Sequence, residues 1–600
     1  MCGSGRWHEG SRGLTGFQTK VMKLIEALNI LRKTASESAE KFVVSLVSGF
    51  TPLHLETLLA AQLQRLDPEH RIEMETGLYG DFMGNLERAA MNGPDAAAVT
   101  IEWQDLDPRL GIRSLGGWLP AVFPDVIENV RVRLALIESA LQRISRELPV
   151  AVCFPTLPFP PISYTPGWQA SSIEMDIRAL LASTSDRVVR TPNVKVVNPQ
   201  RLDILSPLSL RLDVSSEILT GFPYRLSHAS MLAELLSQLI HSPVPKKGLI
   251  TDLDDTVWQG ILGEVGSEGV SWDLEHHSHM HAVYQQLLQA FSAEGVLVAI
   301  ASKNDPKLVA EVFNNRSPIL PESAVFPIEA HWGPKSESVG RILNAWNVGA
   351  DSVVFIDDSA MELAEVKQAY PAVECIPFPQ GNPAGIYELL RRLRDLFGKS
   401  AIREEDAIRL ASLRQAEAIP RGEQASEFAR ENFLEHAEAE LSITFAKETL
   451  DPRALELVNK TNQFNLNGKR HAQASLQSYV REPNAFLMLV SYKDKYGPLG
   501  KIAVIAGHCL AKTLSIDIWV MSCRAFSRRI EHRCLDELIA KFNPDQIEFD
   551  FVETSRNVPF RTFLAEALGS LPESPYRVSS KVFLERRQRT YHRILETIDG

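Results

Sequence analysis

The sequence lacks the features that mark several specialised classes of protein. No run of about 18 apolar residues occurs, so no segment is predicted to span a bilayer, and the N-terminus has no apolar core of signal-peptide length. The 6 cysteines are spread over 600 residues without a CxxC pair, which fits reduced thiols and predicts no zinc site. Basic residues are in deficit, with 63 Lys and Arg against 75 Asp and Glu, so nucleic acid and anionic membranes are poor candidates for partners. A cytoplasmic location is expected.

What the chain does contain is a repeated alternation of apolar strands and helices, which is typical of α/β domains. A chain of 600 residues is too long for a single core, so several domains are expected. The predicted divisions are an N-terminal helical or flexible segment (1–40), an α/β domain (41–245), a second α/β domain (246–400), a helical connector (401–435) and an α+β domain (436–600). The predicted fold class is therefore α/β and multidomain.

Hydrophobic patterns also predict individual elements of these domains. In the first domain they predict a strand at 42–47 and a helix over Leu53–Leu66. In the second they predict four strands, at Gly248–Thr251, Val296–Ala301, Ala324–Ile328 and Ser352–Ile356. The glycine-punctuated stretch Trp258–Gly266 predicts a hairpin.

Two carboxylates, Asp252 and Asp254, follow the apolar strand Gly248–Thr251. Open α/β sheets bind ligands at the carboxyl ends of their strands. At this spacing one carboxylate can attack phosphorus while its neighbour handles the proton of the leaving group. Mg²⁺ would shield the phosphate from both. Taken alone, a solvated turn at the end of a strand accounts for the motif equally well.

Three further motifs follow in the order that phosphoryl transfer requires. Ser302 ends the next apolar strand and can hydrogen-bond a phosphoryl oxygen. Lys335, after a Gly-Pro turn, can neutralise a phosphate and the attacking aspartate. Asp357 and Asp358 end another apolar strand and supply acid groups for a metal. Four such motifs are hard to obtain by chance, so we interpret them as one site.

Together the motifs resemble the haloacid-dehalogenase (HAD) superfamily, and Asp252–Gly260, Ser302–Asn304 and Phe355–Ser359 with Glu362 resemble its FkbH-like branch in subfamily IIIC. The resemblance implies a Rossmann-like domain, and about 45 residues between the first two motifs leave no room for a cap. It implies that Asp252 is the nucleophile and Asp254 the general acid/base. It also implies phosphate contacts from Ser302 and Lys335, Mg²⁺ binding by Asp252, Asp254, Asp357 and Asp358, and substrate contacts from Thr256, Trp258, Gly260, Lys303 and Asn304.

The flanking domains carry weaker resemblances. Asn459–Leu466 and Ser522–Arg524 resemble the second domain of the same family, which looks like an acetyltransferase (GNAT) fold. Residues 41–245 look more loosely like an SGNH-hydrolase segment. Its triad is incomplete, because Ser48 lies in the nucleophile loop but no Asp-x-x-His is found, so an inactive docking domain is expected. The residues implied to bind an acyl or pantetheine group are Asn462, Gln463, Asn465, Cys523, Arg524 and Arg528.

The resemblance implies an enzyme of polyketide or nonribosomal biosynthesis. It would take a glyceryl unit from 1,3-bisphosphoglycerate, remove phosphate and load the unit on an acyl carrier protein. Leu253 departs from this pattern, because glyceryl-loading members can carry a cysteine between the two aspartates. Two alternatives stay open: a phosphatase acting on another metabolite without acyl transfer, and a non-catalytic scaffold that binds a carrier protein.

Overall fold

The structure is a computed structural model. It describes residues 21–33, 39–115, 117–399, 431, 434–446, 450–461, 463–495, 497–522, 525–526, 528–554, 557–568 and 576–599. The chain divides into two compact units, residues 1–244 and 245–600. None of the described helices combines the length and the apolar character that crossing a bilayer requires.

The first unit contains a five-stranded parallel sheet. Its strands are β1 (Lys41–Val47), β2 (Arg71–Thr76), β3 (Ala96–Thr100), β4 (Val150–Cys153) and β5 (Val194–Val196), in the order β2-β1-β3-β4-β5. Its helices are Leu24–Lys33, Leu53–Leu66, Phe82–Asn92, Trp103–Leu106, Phe123–Ile144, Ser172–Val189, Pro199–Leu205, Val214–Thr220 and Leu226–Ile240. This is the arrangement that parallel strands need, because crossover helices must connect them.

Both faces of this sheet are covered. Val47 and Val99 belong to the hydrophobic cluster on one face, whereas Leu46 and Ala98 belong to the cluster on the other. Neighbouring strand residues point to opposite faces, so a strand buried on both sides reads as an unbroken apolar run. β3 is such a strand, since all five of its residues are buried.

The second unit begins with another five-stranded parallel sheet. Its strands are β6 (Gly248–Thr251), β7 (Leu297–Ser302), β8 (Ile328–Ala330), β9 (Val353–Asp357) and β10 (Glu374–Pro377), in the order β10-β9-β6-β7-β8. Its helices are Leu262–Gly269, His279–Ala293, Pro306–Asn315, Lys335–Trp346, Ala360–Ala369 and Pro383–Phe397. The strand order reverses between β9 and β6, which is the switch point of the sheet.

The remainder of the second unit contains a mixed sheet. Its strands are β11 (Glu440–Ala446), β12 (Phe464–Asn465), β13 (Ala485–Asp494), β14 (Gly497–Leu510), β15 (Thr513–Met521), β16 (Gln546–Phe549), β17 (Tyr576–Ser579) and β18 (Arg593–Asp599). They follow the order β17-β16-β15-β14-β13-β11-β18, and β12 pairs with β15. The helices are Pro452–Lys460, Gln473–Val480, Ile530–Phe542, Val558–Leu568 and Ser580–Arg586.

The predicted fold class, α/β and multidomain, is confirmed, as are the helix Leu53–Leu66 and the strand Gly248–Thr251. The predicted strand Ala324–Ile328 is wrong. A short 3-10 helix covers Glu322–Ala324 and β8 begins only at Ile328, since Pro327 has no N–H to donate to a neighbouring strand.

The predicted hairpin at Trp258–Gly266 is also wrong. A single antiparallel bridge joins Gln259 to Ser271, and the helix Leu262–Gly269 lies within the loop that it closes. Glycine punctuation suggested a turn, but Gly266 instead kinks the helix with a φ of 70°. Most of the predicted connector 401–435 lies outside the described residues.

Candidate active site

Three strands of the parallel sheet in the second unit end in polar side chains. β6 is followed by Asp252, β7 ends at Ser302 and β9 ends at Asp357. The Asp252 N–H donates to Ile356 O at 3.0 Å, which fixes the ends of β6 and β9 side by side. Asp252 and Asp357 therefore lie at the switch point, where open α/β sheets bind ligands.

Lys335 begins the helix Lys335–Trp346 and is only 3% exposed. Its Nζ lies 2.9 Å from Asp252 Oδ1 and 2.6 Å from Asp357 Oδ2, and it also contacts Glu362. Although burial lowers the pKa of Lys335, the charges of Asp252 and Asp357 outweigh burial and raise that pKa. Lys335 is therefore a permanent cation that holds two carboxylates from different strands.

Asp252, Asp357 and Asp358 form a cluster able to hold a metal ion, with one oxygen of each within 4.8 Å of the others. Burial raises the pKa of Asp252 to about 6 and that of Asp357 to about 7, and burial also raises the pKa of Asp358. A divalent cation would offset the negative charge that these acids concentrate. Oxygen ligands are those that Mg²⁺ prefers, so these residues fit the metal expected from the sequence.

Asp254 is held in place by three hydrogen bonds from uncharged groups. Trp258 Nε1 at 3.0 Å and the Leu262 N–H at 3.2 Å donate to its Oδ1, and Asn304 Nδ2 donates to its Oδ2 at 3.0 Å. Asn304 Nδ2 also donates to Ser302 Oγ at 3.0 Å. These contacts orient the carboxylate of Asp254 without placing a cationic side chain on it.

The loop after β6 is fixed by its own contacts. Asp255 has a φ of 51°, and its Oδ1 accepts a hydrogen bond from the Gly260 N–H at 2.8 Å. Gly260 has a φ of 104°, a conformation that other residues rarely adopt. The side chains of Thr256 and Trp258 are completely buried. The structure thus places Thr256, Trp258 and Gly260, all expected to bind substrate, where they support the loop.

Leu253 lies between the two aspartates in sequence but not in the site. Its side chain is completely buried in a hydrophobic cluster with Leu249 and Val298. Position 253 therefore contributes to the core of the domain, and the departure from the family pattern at this position removes no contact with the carboxylate cluster.

Glu362 was part of the resemblance seen in the sequence, but no role in the site was predicted for it. Glu362 lies in the first turn of the helix Ala360–Ala369 and contacts both Lys335 and Lys303, with Lys303 Nζ at 3.1 Å. Despite burial, the hydrogen bond from Lys335 lowers the pKa of Glu362. The available signal was its spacing, because a residue one helical turn beyond Asp358 returns to the end of the strand. Lys303 is 37% exposed at its side chain and borders the site.

The residues expected to bind an acyl or pantetheine group are only partly described. Asn462, Cys523 and Arg524 lie outside the described residues, and Gln463 is half-buried. The two remaining candidates, Asn465 and Arg528, have contacts that the structure describes.

Asn465 and Arg528 are both committed to contacts within their own domain. Asn465 is buried, and its Oδ1 accepts hydrogen bonds from the N–H groups of Asn467 and Gly468, which forms a turn. Arg528 is 4% exposed, its guanidinium lies over the ring of Tyr492, and its Nε lies 3.8 Å from a carboxylate oxygen of Asp494. Neither side chain is presented at the surface.

The corresponding edge of the first unit has a different character. Ser48 Oγ donates to Phe50 O at 2.9 Å. His228 Nε2 is hydrogen-bonded to Thr156 Oγ1 at 3.0 Å and its Nδ1 to Ser206 Oγ at 2.9 Å. Burial lowers the pKa of His228 to about 3. Because its two ring nitrogens bond these other hydroxyls, His228 is not placed as a base for Ser48.

Comparisons with known proteins add a likeness of fold. No family model and no curated protein matches the chain. The N-terminal part of the protein BF1531 from Bacteroides fragilis, which contains a phosphatase domain and was crystallised with Mg, is 19% identical with a TM-score of 0.50. That match covers 63% of this chain and 100% of the other. An uncharacterized protein from Corynebacterium glutamicum is 18% identical with a TM-score of 0.19, over 26% of this chain and 99% of its own. The likeness to the Bacteroides protein shows a shared fold.

Proposed function

We propose that the second unit is a Mg²⁺-dependent phosphoryl-transfer enzyme that removes phosphate from a small phosphorylated substrate. One observation carries the proposal: buried Lys335 contacts Asp252 and Asp357 together, and Asp358 completes a compact set of carboxylates. The likeness of fold to a structure that contains a phosphatase domain and Mg supports it. The metal, with Asp254 expected as a further ligand, would offset the charge of the phosphate.

The residues of the chain account for each bond change. A carboxylate oxygen of Asp252 forms a bond to phosphorus while the bond from phosphorus to the leaving oxygen breaks, and Asp254 gives that oxygen a proton. Asp254 then takes a proton from a water molecule, whose oxygen attacks phosphorus and frees Asp252. Lys335 and Ser302 hold the phosphoryl oxygens during both steps.

The segment between β6 and β7 provides no cap domain over the site. Residues 252–296, all of which are described, form the helices Leu262–Gly269 and His279–Ala293 and their connecting loops, with no separate domain between β6 and β7. The second of these helices packs beside the loop, with His281 Nδ1 hydrogen-bonded to Thr256 O at 2.9 Å. An open site of this kind suits a substrate presented by a partner protein.

The test of this function is phosphate release by Asp252→Asn. With Mg²⁺ and 1,3-bisphosphoglycerate or p-nitrophenyl phosphate, we expect the wild-type protein to release phosphate and the variant to lose at least about 10³-fold in rate, because the amide is not a nucleophile. Asp305→Asn is the matched control, since Asp305 is an exposed helix cap that Asn also satisfies. Equal rates for Asp252→Asn and the wild type would refute the proposal.

Within this function we propose the finer reaction that the FkbH-like motifs imply, the loading of a glyceryl unit from 1,3-bisphosphoglycerate on an acyl carrier protein. The motif set and the open site support it. Because the side chain at 253 is a buried leucine, the acyl group reaches the carrier thiol without a thiol at that position. Cys523, which lies in a family motif, is the other thiol to consider.

Mass spectrometry of the carrier tests the finer reaction. With 1,3-bisphosphoglycerate, Mg²⁺ and carrier proteins from the same biosynthetic system, we expect a carrier to gain the mass of a glyceryl group. Phosphate release without any gain in carrier mass would favour a phosphatase acting on another metabolite. Carrier binding without Mg²⁺-dependent turnover would favour a scaffold.

A further inference from the structure

The first unit contains a cavity at the carboxyl edge of its own sheet. Its volume is about 110 Å³, and it is partly open to solvent. Its lining comes from the segment after β3, from the segment Leu157–Pro161 after β4 and from residues 212–223, which precede the helix Leu226–Ile240. In an open α/β sheet this is the edge at which ligands bind.

Most of the cavity wall is apolar and stiff. Trp103 and Phe159 meet edge to face with ring centroids 5.1 Å apart, and Trp103 Nε1 donates to Leu157 O at 2.8 Å, which fixes the indole. Pro158 and Pro160 continue the wall, and their backbone φ angles are set by their rings. A preformed apolar pocket with a few polar groups is the usual form of a small-molecule site.

One polar group in this wall is unsatisfied. Glu217 is 2% exposed, and neither of its carboxylate oxygens has a hydrogen-bond partner among the described residues. Arg113 Nε lies 3.5 Å from Oε1, but the Arg113 guanidinium donates its hydrogen bonds to the backbone carbonyls of Glu217 and Ile218. A buried carboxylate without hydrogen bonds is costly, so its presence at a cavity wall indicates a group that arrives from outside.

Glu102, which lines the same wall, has the hydrogen-bond donors that Glu217 lacks. Its carboxylate accepts hydrogen bonds from Thr156 Oγ1 at 2.6 Å and Tyr224 OH at 2.8 Å, and from the backbone N–H groups of Thr156 and Leu157. Glu102 has therefore reached its full complement of donors. Glu217 has not, although the two line the same cavity.

The surroundings favour a cation over an anion. After burial, the charges of Glu102 and Glu217 contribute to raising the pKa of buried Asp105 to about 8, so three acids influence one another at this corner of the sheet. Burial also raises the pKa of Glu217, and the charge of Arg113, which lowers that pKa, only partly offsets the effect of burial. A positively charged donor placed beside Glu217 would offset this charge and supply the missing hydrogen bonds.

We infer that this cavity is a binding site for a small organic ammonium: an apolar body packs against Trp103 and the proline-rich segment, and its ammonium group donates to Glu217. The site needs neither Ser48 nor the metal-binding carboxylates of the second unit. It gives the first unit a binding function that is independent of an SGNH triad.

Calorimetry on the full-length protein tests the site with benzylamine as the probe and benzyl alcohol as the neutral counterpart. We expect benzylamine to bind the wild type at least about tenfold more tightly than benzyl alcohol, since a hydrogen bond between charged groups is stronger than one to a hydroxyl. Glu217→Gln should lose at least about tenfold in benzylamine affinity and remove this preference. Glu234→Gln, another partly buried acid of the same unit outside the cavity lining, should bind like the wild type.

A second variant tests the cavity and retains the carboxylate. Leu212→Trp fills space in the wall, so it should abolish binding of both probes even though Glu217 remains. Circular dichroism establishes that each variant is folded. The inference is overturned if benzylamine fails to bind the wild type at millimolar concentration, if it binds no better than benzyl alcohol, or if Leu212→Trp binds it normally.

Discussion

The carboxyl edges of the two parallel sheets use buried polar residues in opposite ways. In the first unit, Glu102 and His228 are joined through the hydroxyl of Thr156, and each atom that can bond does so within the protein. In the second unit, Asp252, Asp357 and Asp358 crowd together around Lys335.

The difference is between a network in which Glu102 and His228 have hydrogen-bond partners and a cluster of carboxylates that needs a positive charge. Hydrogen bonds between neutral and charged partners satisfy Glu102, so it needs nothing from solvent or ligand. Carboxylates brought within 4.8 Å of one another repel, and folding tolerates the repulsion only where another positive group relieves it. Similar sheets and similar residue types therefore give a packed polar core in one unit and a candidate metal site in the other.

Among the substitutions that test this difference between the two units, replacement of Lys335 has the largest expected effect. Lys335→Met should lower Mg²⁺-dependent phosphate release by about 10³-fold, because it removes the cation that positions Asp252 and the transferred phosphate. His228→Gln, which alters the polar network of the first unit, should leave that rate unchanged. Phosphate release measured on both folded variants checks the contrast, and a similar loss in the two would contradict it.

The next largest expected effect is the dependence of the stability of the first unit on pH. Burial raises the pKa of Glu102 from its ordinary 4.5 to about 7. Below pH 4.5 the folded and unfolded states both hold this proton. As the pH rises from 4.5 to 7 the unfolded state releases it first, so stability falls by about 3 kcal/mol in total, and the loss persists above pH 7.

Glu102→Gln should remove this part of the pH dependence, because it no longer titrates. Hydrogen exchange of peptides that cover β3, corrected for intrinsic rates, gives the opening free energy of this region in the full-length chain at pH 5 and pH 8. Glu87→Gln, on the exposed face of the helix Phe82–Asn92, is the control and should keep the wild-type dependence. If Glu102→Gln also keeps it, the buried carboxyl is not its source.

A somewhat smaller effect is expected when Mg²⁺ is added to the full-length protein, where it should stabilise the second unit but not the first. At about 100 times its dissociation constant, a ligand that binds only the folded state stabilises it by about 2.7 kcal/mol. Peptides that cover β9 should therefore gain protection from hydrogen exchange on addition of Mg²⁺, and EDTA should reverse the gain. Asp358→Asn should weaken the response, whereas peptides that cover β3 should not respond in either protein. Equal responses of β3 and β9 would mean that the metal does not act at the carboxylates.

The sequence predicted those parts of the fold and of the site that depend on residues close together in the chain. Gly248–Thr251 is a short apolar run typical of a buried strand, so the position of Asp252 at its end was predicted with it. Ser302 and Asp357 were placed by the same logic. The strand β8 was misplaced because Pro327 interrupts its pairing, a constraint that hydrophobic pattern does not express.

The features that escaped prediction depend on contacts between distant segments. Glu362 contacts Lys303 and Lys335 only because two helices and a loop converge at one edge. Glu217 lies on a cavity wall most of whose other residues come from segments more than fifty residues away. Spacing along the chain places Glu362 one helical turn beyond Asp358 but does not identify its partners, and it carries no signal for the position of Glu217. The polar residues at strand ends, in contrast, are placed by the topology of the sheet itself.

Replacement of Trp258 has the smallest expected effect. This residue lies in the hydrophobic core and also contacts the site. Its ring is completely buried, and its Nε1 donates to Asp254 Oδ1 at 3.0 Å. Trp258→Phe keeps an aromatic ring but loses this donor, so phosphate release should fall by about tenfold in kcat, the effect of one hydrogen bond worth about 1.4 kcal/mol. KM should change little, because Asp254 is proposed to move a proton and not to hold the substrate. Trp346, a buried tryptophan at the end of the helix Lys335–Trp346, has its Nε1 bonded to Phe326 O instead, so Trp346→Phe supplies the matched control for lost packing. If both variants lose activity equally, the indole of Trp258 affects the rate only through its packing in the core, and its hydrogen bond to Asp254 makes no separate contribution.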